Sequence, residues 1–267
     1  MSSTVCVTGA GGYVASWLIK LIISHGYKVH GTLRNLGDEK YVHLKSLKNA
    51  YSILTIVKGC DGIFHVASPV PSSSVPNLEV EVVAPALNET LKIIKACSQD
   101  KTRRVVVVSS GAALVMNPNR PKDRVIDETC WSDREYCRTT NNWFCYLKTV
   151  AEVEALEYVK QNELDVVTVC PTLVLGPMLQ HAPNASSLFL IKLLREGFEE
   201  VENKLRSIVD VRDVADAFKL VYEKREAKGR YICTAHTVKI QDLVQTLRQI
   251  YPSYNYPKSL KRETNSV

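Results

Sequence analysis

The 267-residue chain has no apolar stretch near the roughly 18 uninterrupted residues that a membrane-crossing helix needs, so a helical span is not expected. Residues 1–7 lack the apolar core of a secretory signal, and a soluble, cytoplasmic protein is the expectation. No two of the eight cysteines form a C-x-x-C pair, and the six histidines form no cluster at ligand spacing. Reduced, buried thiols and no metal site follow from that scatter. Cys137 and Cys145 flank a candidate site described below, and pairing between them is left open. No run of like charge is present either. The net charge of +6 is spread along the chain, which argues against nucleic acid as partner and suits an anionic cofactor. There is no internal repeat and no low-complexity linker. The sequons at Asn88 and Asn184 are read as chance matches.

What is present is an ordinary globular composition, 45% hydrophobic and 23% charged. Through residue 175, short β-branched runs alternate with longer amphipathic stretches, the pattern of a parallel sheet covered by helices. Strands are expected over residues 5–8, 28–33, 62–67, 104–109 and 166–169. Helices are expected over 13–25, 38–48, 79–97 and 142–161, the first with Val14, Trp17, Leu18, Leu21 and Ile22 at helical spacing. The periodicity changes after Gly176. A Pro/Asn/Ser loop (177–187) leads to a helix at 188–196, a strand–helix pair at 208–222 and a strand at 230–234. The fold expected is therefore an α/β, doubly wound parallel sheet of the Rossmann type. It comprises a dinucleotide-binding domain at 1–175 and a small substrate-binding lid at 176–267, over the strands' carboxyl ends.

The strongest motif is Thr8-Gly9-Ala10-Gly11-Gly12-Tyr13-Val14-Ala15, directly after a strand and opening a helix. Glycines let the backbone turn tightly and approach a pyrophosphate, while the helix N-terminus offers free N–H groups and a positive dipole end. Ala15 stands where a third glycine could be and is small enough for close helix–strand packing. The second strand bears on which dinucleotide is bound. An acidic residue at its end would hold the adenosine ribose of NAD, but it ends in Gly31-Thr32-Leu33-Arg34. Arg34, with Lys40 six residues on, can pair with the 2′-phosphate of NADP. The alternative is two solvated surface charges.

Taken with these motifs, several further segments make the chain resemble the extended short-chain dehydrogenase/reductases of the plant cinnamoyl-CoA reductase and dihydroflavonol reductase group. They are residues 7–17, Gly59-Cys60-Asp61-Gly62-Ile63-Phe64-His65-Val66-Ala67-Ser68-Pro69-Val70, and Asp127-Glu128-Thr129-Cys130-Trp131-Ser132-Asp133. Asn142-Trp143-Phe144-Cys145-Tyr146-Leu147-Lys148, residues 170–177 and Val209-Asp210-Val211-Arg212-Asp213-Val214-Ala215 continue it. The resemblance covers almost the whole chain. It implies an NADP(H)-dependent reductase acting on the carbonyl of an aromatic aldehyde, ketone or acyl-CoA thioester. Its cofactor contacts fall on Gly9, Ala10, Gly11, Gly12, Tyr13, Val14, Ala15, Arg34, Lys40, Val66, Ala67, Ser68, Lys148, Pro171, Thr172, Leu173 and Val174, with Ser187 a weaker match. It also implies catalytic roles for Ser110 and Lys148.

Two departures bear on chemistry. The family places a tyrosine four residues before the lysine, on the same helical face, where the ammonium lowers the phenol's pKa for proton transfer. Here that position is Phe144, which has the ring but no exchangeable proton. Tyr146 is no substitute, because two residues along a helix is a rotation of roughly 200°. Losing a positioned general acid typically costs about 10²–10⁴ in rate. The second departure is an interval. Between the second strand and Gly62 the family has a helix, a third strand with an acidic residue and a leucine near the adenine, and another helix. Only residues 34–61 fill it here, and the adenine-contacting pair has no counterpart. Residues 51–57 could form a makeshift strand, although four residues are too few for a parallel crossover, which takes a dozen or more. Three readings follow: an impaired reductase, a catalytically silent NADP(H)-binding partner of an active relative, or a truncated variant that folds poorly.

Arg34 and Lys40 carry a direct expectation. NADPH should bind more tightly than NADH, and Arg34→Ala should cost about 1.5–3 kcal/mol of NADPH affinity, the worth of a charge-assisted contact. Calorimetry on both proteins measures it, and equal affinity would remove the assignment.

Overall fold

The computed structural model describes residues 3–33, 42–45, 58–68, 78–121, 123–195 and 200–261. Arg34, Lys40 and residues 51–57 lie outside them.

Strand β1 (Thr4–Thr8) runs through the centre of the molecule, with Val5, Cys6 and Val7 fully buried. The glycine turn leads into α1 (Tyr13–Ser24), then β2 (Lys28–Gly31), the single turn α2 (Val42–Lys45) and β3 (Gly62–His65). A π-helical turn over Glu79–Val83 opens α3 (Ala84–Gln99). Pro85 has no N–H to give the carbonyl of Glu81, so the ladder widens there instead of forming the single α-helix expected over 79–97. β4 (Arg104–Val108), the short α4 (Ala112–Val115) and α5 (Arg134–Thr139) precede the long α6 (Trp143–Gln161) and β5 (Val166–Pro171).

Five strands and a later one form a parallel sheet in the order β2-β1-β3-β4-β5-β9, where β9 is Gly229–Cys233. Strands β3 and β5 are buried along their whole length, as required where helices cover both faces. Leu18 and Ile22 of α1 pack with Val214 and Phe218 of α8 (Val211–Glu223) on one face. Ile94 and Cys97 of α3 pack with Ala155 of α6 on the other. This is the doubly wound arrangement expected. The strand order reverses between β1 and β3, so the crevice for a ligand opens above the carboxyl ends of those two strands. Among the described residues β2 is one edge of the sheet and β9 the other.

The remaining elements make a smaller lobe. β6 (Leu173–Leu175), β8 (Leu205–Asp210) and β10 (His236–Lys239) form a three-stranded sheet, and β7 (Glu200–Glu202) pairs with β11 (Ser259–Lys261). Leu193 of α7 (Ala185–Arg195) packs there with Ile240 and Val244 of α9 (Ile240–Ile250) and with Tyr256. The two units are not divided at residue 175. After β8 the chain returns to the main layers, α8 lying on α1 and β9 extending the sheet beyond β5.

Arg104 anchors that return. Only 3% exposed, it pairs with Asp165 at 2.7 Å and donates to the Val221 (2.6 Å), Lys224 and Arg225 (3.0 Å) carbonyls. Val221 is in the last turn of α8, where carbonyls have no partner within the helix, and the Lys224 carbonyl also accepts the Ala227 N–H at 3.1 Å. Arg104→Ala should destabilise the fold by about 2 kcal/mol, chiefly because the Val221 carbonyl stays buried and loses its donor, while Asp165, Lys224 and Arg225 can turn to solvent. Urea unfolding measures it. A loss below about 1 kcal/mol would show that solvent replaces the guanidinium.

Candidate active site

The glycine turn is shaped by close backbone approaches. Gly9 has φ +65°, and a Cβ there would stand 3.0 Å from the Cα of Ala67, just beyond β3. A Cβ on Gly12 would stand 3.1 Å from the Gly9 carbonyl oxygen. The turn is laced to the end of β2: the Ala10 N–H donates to the Thr32 carbonyl (3.0 Å) and the Gly9 N–H to Thr32 Oγ1 (3.1 Å). Gly12 begins α1 without any side-chain cap, which leaves first-turn N–H groups for an anion. A side chain at Gly9 or Gly12 would push against the backbone that shapes this turn, and a tight turn with free N–H groups at a helix N-terminus fits the pyrophosphate of a dinucleotide.

The other expected cofactor residues are spread around the crevice. Val66, Ala67 and Ser68 leave β3, and Ala67 and Ser68 line a cleft with Lys148. Pro171 ends β5 and Thr172 joins it to β6, the Thr172 N–H donating to the Cys233 carbonyl at 3.0 Å. Ser187 lies in the first turn of α7, its hydroxyl engaged by Asn184 Oδ1 at 2.6 Å.

Three consecutive residues at the end of β4 face three tasks. The Val108 carbonyl accepts from Lys148 Nζ at 3.2 Å. The Ser109 hydroxyl donates to Glu152 Oε2 at 2.7 Å. The Ser110 hydroxyl oxygen accepts the Ala112 N–H at 3.1 Å, and among the described residues its own proton has no acceptor. Of the two serines, Ser110 is thus the one available to a ligand. Lys148 is 8% exposed, and burial pushes its ammonium down to about 8 against the opposing effects of Cys170 and Glu152. Phe144 stands one turn earlier, in the first turn of α6 and half-buried. Cys137 and Cys145 are both buried free thiols.

With this geometry in view, comparison with known proteins is decisive. Residues 5–233 match the family described as NAD dependent epimerase/dehydratase. The chain belongs to that family. Cinnamoyl-CoA reductase 2 of Medicago truncatula is 44% identical over 98% of this chain and 81% of its own length. The crystal structure of vestitone reductase from alfalfa superposes with a TM-score of 0.80, at 31% identity over 96% of this chain and 84% of that one. Yeast methylglyoxal/isovaleraldehyde reductase Gre2, solved in complex with NADPH, superposes at 0.82 with 25% identity over 95% and 85% of the two chains. The resemblance to the plant cinnamoyl-CoA reductase group is borne out, and the chain belongs with the nicotinamide-dinucleotide-dependent short-chain reductases by family. Among the described residues no helix is long and apolar enough to cross a membrane, and no group of His, Cys, Asp and Glu could hold a metal ion.

Sequence reading missed the buried polar groups that support this family's site. Glu152, one turn beyond Lys148, and Arg230 of β9 form an ion pair with 0% and 7% of their side chains exposed. His65 is 4% exposed between Thr8 and Thr90. A histidine inside the apolar run Gly62-Ile63-Phe64-His65-Val66 was the available signal for the last.

The His65 network fixes its own tautomer. The Thr90 hydroxyl donates to the Ala86 carbonyl (3.0 Å), so it accepts from His65 Nε2–H (3.0 Å). Thr8 Oγ1 accepts the Ala67 N–H (3.0 Å) and donates to His65 Nδ1 (2.9 Å). A neutral imidazole therefore bolts the exit of β3 against the glycine turn. Burial, and secondarily the Lys148 charge, lower its pKa from 6.5 to about 4. Between those values the unfolded chain binds a proton that the folded one refuses. Stability is full above pH 6.5 and falls as pH drops toward 4, by about 3 kcal/mol in all. Urea unfolding of His65→Gln should show a flatter dependence over that window, whereas parallel curves would remove His65 as the source.

Proposed function

We propose that this chain is an NADP(H)-dependent reductase of the cinnamoyl-CoA reductase kind whose turnover is impaired by Phe144. Gly9 to Ala15 hold the pyrophosphate, Arg34 and Lys40 the 2′-phosphate, and Val66 to Ser68, Pro171 to Val174 and Ser187 complete the cofactor site. The lobe built on β6, β8, β10, α7 and α9 covers the substrate. The substrate class, an aromatic aldehyde, ketone or acyl-CoA thioester, is supported by likeness to cinnamoyl-CoA reductases.

When bound, NADPH supplies the hydride that reduces the carbonyl carbon. Ser110 donates its free hydroxyl proton as a hydrogen bond to the carbonyl oxygen and so polarises it. Lys148, fixed by the Val108 carbonyl, presents its ammonium to the cofactor. The alkoxide then needs a proton, and Phe144 has none to give. That single residue carries the reading. It favours equally a second one, in which the chain binds NADP(H) without turnover.

Phe144→Tyr separates the two. The ring already occupies the position, so one added hydroxyl should strain little. In a panel of aromatic aldehydes and acyl-CoA thioesters, kcat should rise at least about 10²-fold, the low end for a general acid. Lys148→Ala in that background should abolish the gain. A wild type as fast as the tyrosine variant would mean that another group supplies the proton. No turnover in either would support the silent binder.

A further inference from the structure

Lys148 has several charged and titratable neighbours, and one pair among them is built with more care than the rest. From α6 comes Glu152, from β5 Cys170, from β3 His65, from α3 Glu89 at the mouth of the cleft, and from β9 Arg230 behind Glu152. Strand β4 offers the Val108 carbonyl.

The Glu152 carboxylate is fully engaged. Oε1 accepts from Thr168 Oγ1 (2.7 Å) and Arg230 Nε (2.8 Å), and Oε2 from Ser109 Oγ (2.7 Å) and Arg230 Nη2 (3.1 Å). Arg230 stacks on Trp131, its guanidinium carbon 3.5 Å from the ring centroid. Its Nη1 donates to the carbonyls of Glu128 and Cys130, at 2.8 Å each. Both charges are buried, so each depends on the other for compensation. Lys148 and Glu152 are four residues apart on α6, on one helical face, and both line the same cleft.

We propose that the Glu152–Arg230 pair is a positioning device for Lys148 and Ser110. The carboxylate keeps the neighbouring ammonium charged over the working pH range, the guanidinium limits that effect, and the Ser109 hydroxyl ties the same carboxylate to the strand end that carries Ser110. This rests on reading Lys148 as a ligand of NADPH. Neither Glu152 nor Arg230 touches the cofactor in this account. They act through Lys148 and through β4.

The two charges should push Lys148 in opposite directions, whereas a loss of packing alone would move both variants the same way. NADPH affinity of the full chain, followed by cofactor fluorescence from pH 6.5 to 10, should weaken along an alkaline limb as Lys148 loses its proton. Lys148→Ala should lack that limb. Glu152→Gln should move its midpoint down by about one pH unit, and Arg230→Gln should move it up by a similar amount, the scale of a charge at close range. The double variant Glu152→Gln/Arg230→Gln replaces two ions by two amides and should return the midpoint close to that of wild type, which covers the case that Arg230→Gln alone is unstable. Unmoved midpoints, shifts of the same sign in both variants, or a limb that survives in Lys148→Ala would overturn the proposal. Absence of NADPH binding by wild type at every pH would instead overturn the cofactor reading beneath it.

Discussion

A carboxylate 1% exposed to solvent has to find its compensation inside the protein, and Glu152 finds it on three strands. Its donors come from Ser109 at the end of β4, Thr168 on β5 and Arg230 on β9. Arg230 passes the constraint on to the loop carrying Glu128, Cys130 and Trp131. A shift of any of these elements along another would strand a buried charge, so their registers are mutually fixed. The elements so fixed are the ones that present Ser110 and Lys148. An ion pair of this kind is weak evidence for stability in itself, since apolar residues of similar volume often serve as well. What it provides here is a fixed register beneath the cleft that Lys148 lines.

On the other side of the crevice, neutral groups do the corresponding work. The approach of Gly9 to Ala67 leaves no room for a side chain, and the Thr8–His65–Thr90 chain of hydrogen bonds holds β3 where that approach requires. This strut depends on a neutral imidazole, because protonating Nδ1 would remove the acceptor of the Thr8 hydroxyl and break the chain of hydrogen bonds.

The parts of this arrangement that were legible in the sequence are those written by neighbours. The glycine turn between a strand and a helix is a contiguous signal, and so is the four-residue interval from Phe144 to Lys148. That β1 through β5 run parallel followed from the alternation of strands and helices, whereas their order in the sheet did not. The Glu152 network was not legible because its members are separated by 43, 16 and 78 residues, and no local pattern records such a meeting. Strand β9 misled for a related reason. It is an edge strand with Gly229 and Tyr231 exposed, so its pattern reads as peripheral and says nothing of parallel pairing with β5. The π turn escaped because the cost of Pro85 falls on the residues before it, in a stretch whose apolar spacing still reads as one helix.

Phe144 lacks the hydroxyl that the resemblance implies at this position, and the fold makes no demand for one. Phe144 begins a helix whose position is set by Leu147, Val150 and Ala155, all buried, and a ring at that place packs with or without an oxygen. Nothing in the architecture therefore resists the loss of a proton donor, and fold alone does not report on turnover. The lysine gives a different kind of information. Its ammonium is held near 8 instead of 10.5, so the folded state carries a penalty of about 3 kcal/mol at every pH below that lower value, relieved only as pH rises toward the higher one. A methionine would fill the same space without the penalty. A chain required only to fold would do better without Lys148, and its single hydrogen bond to the Val108 carbonyl is a small return. Strain of that kind, placed beside the glycine turn and a serine hydroxyl whose proton has no acceptor among the described residues, is a cost that a bound ligand can offset.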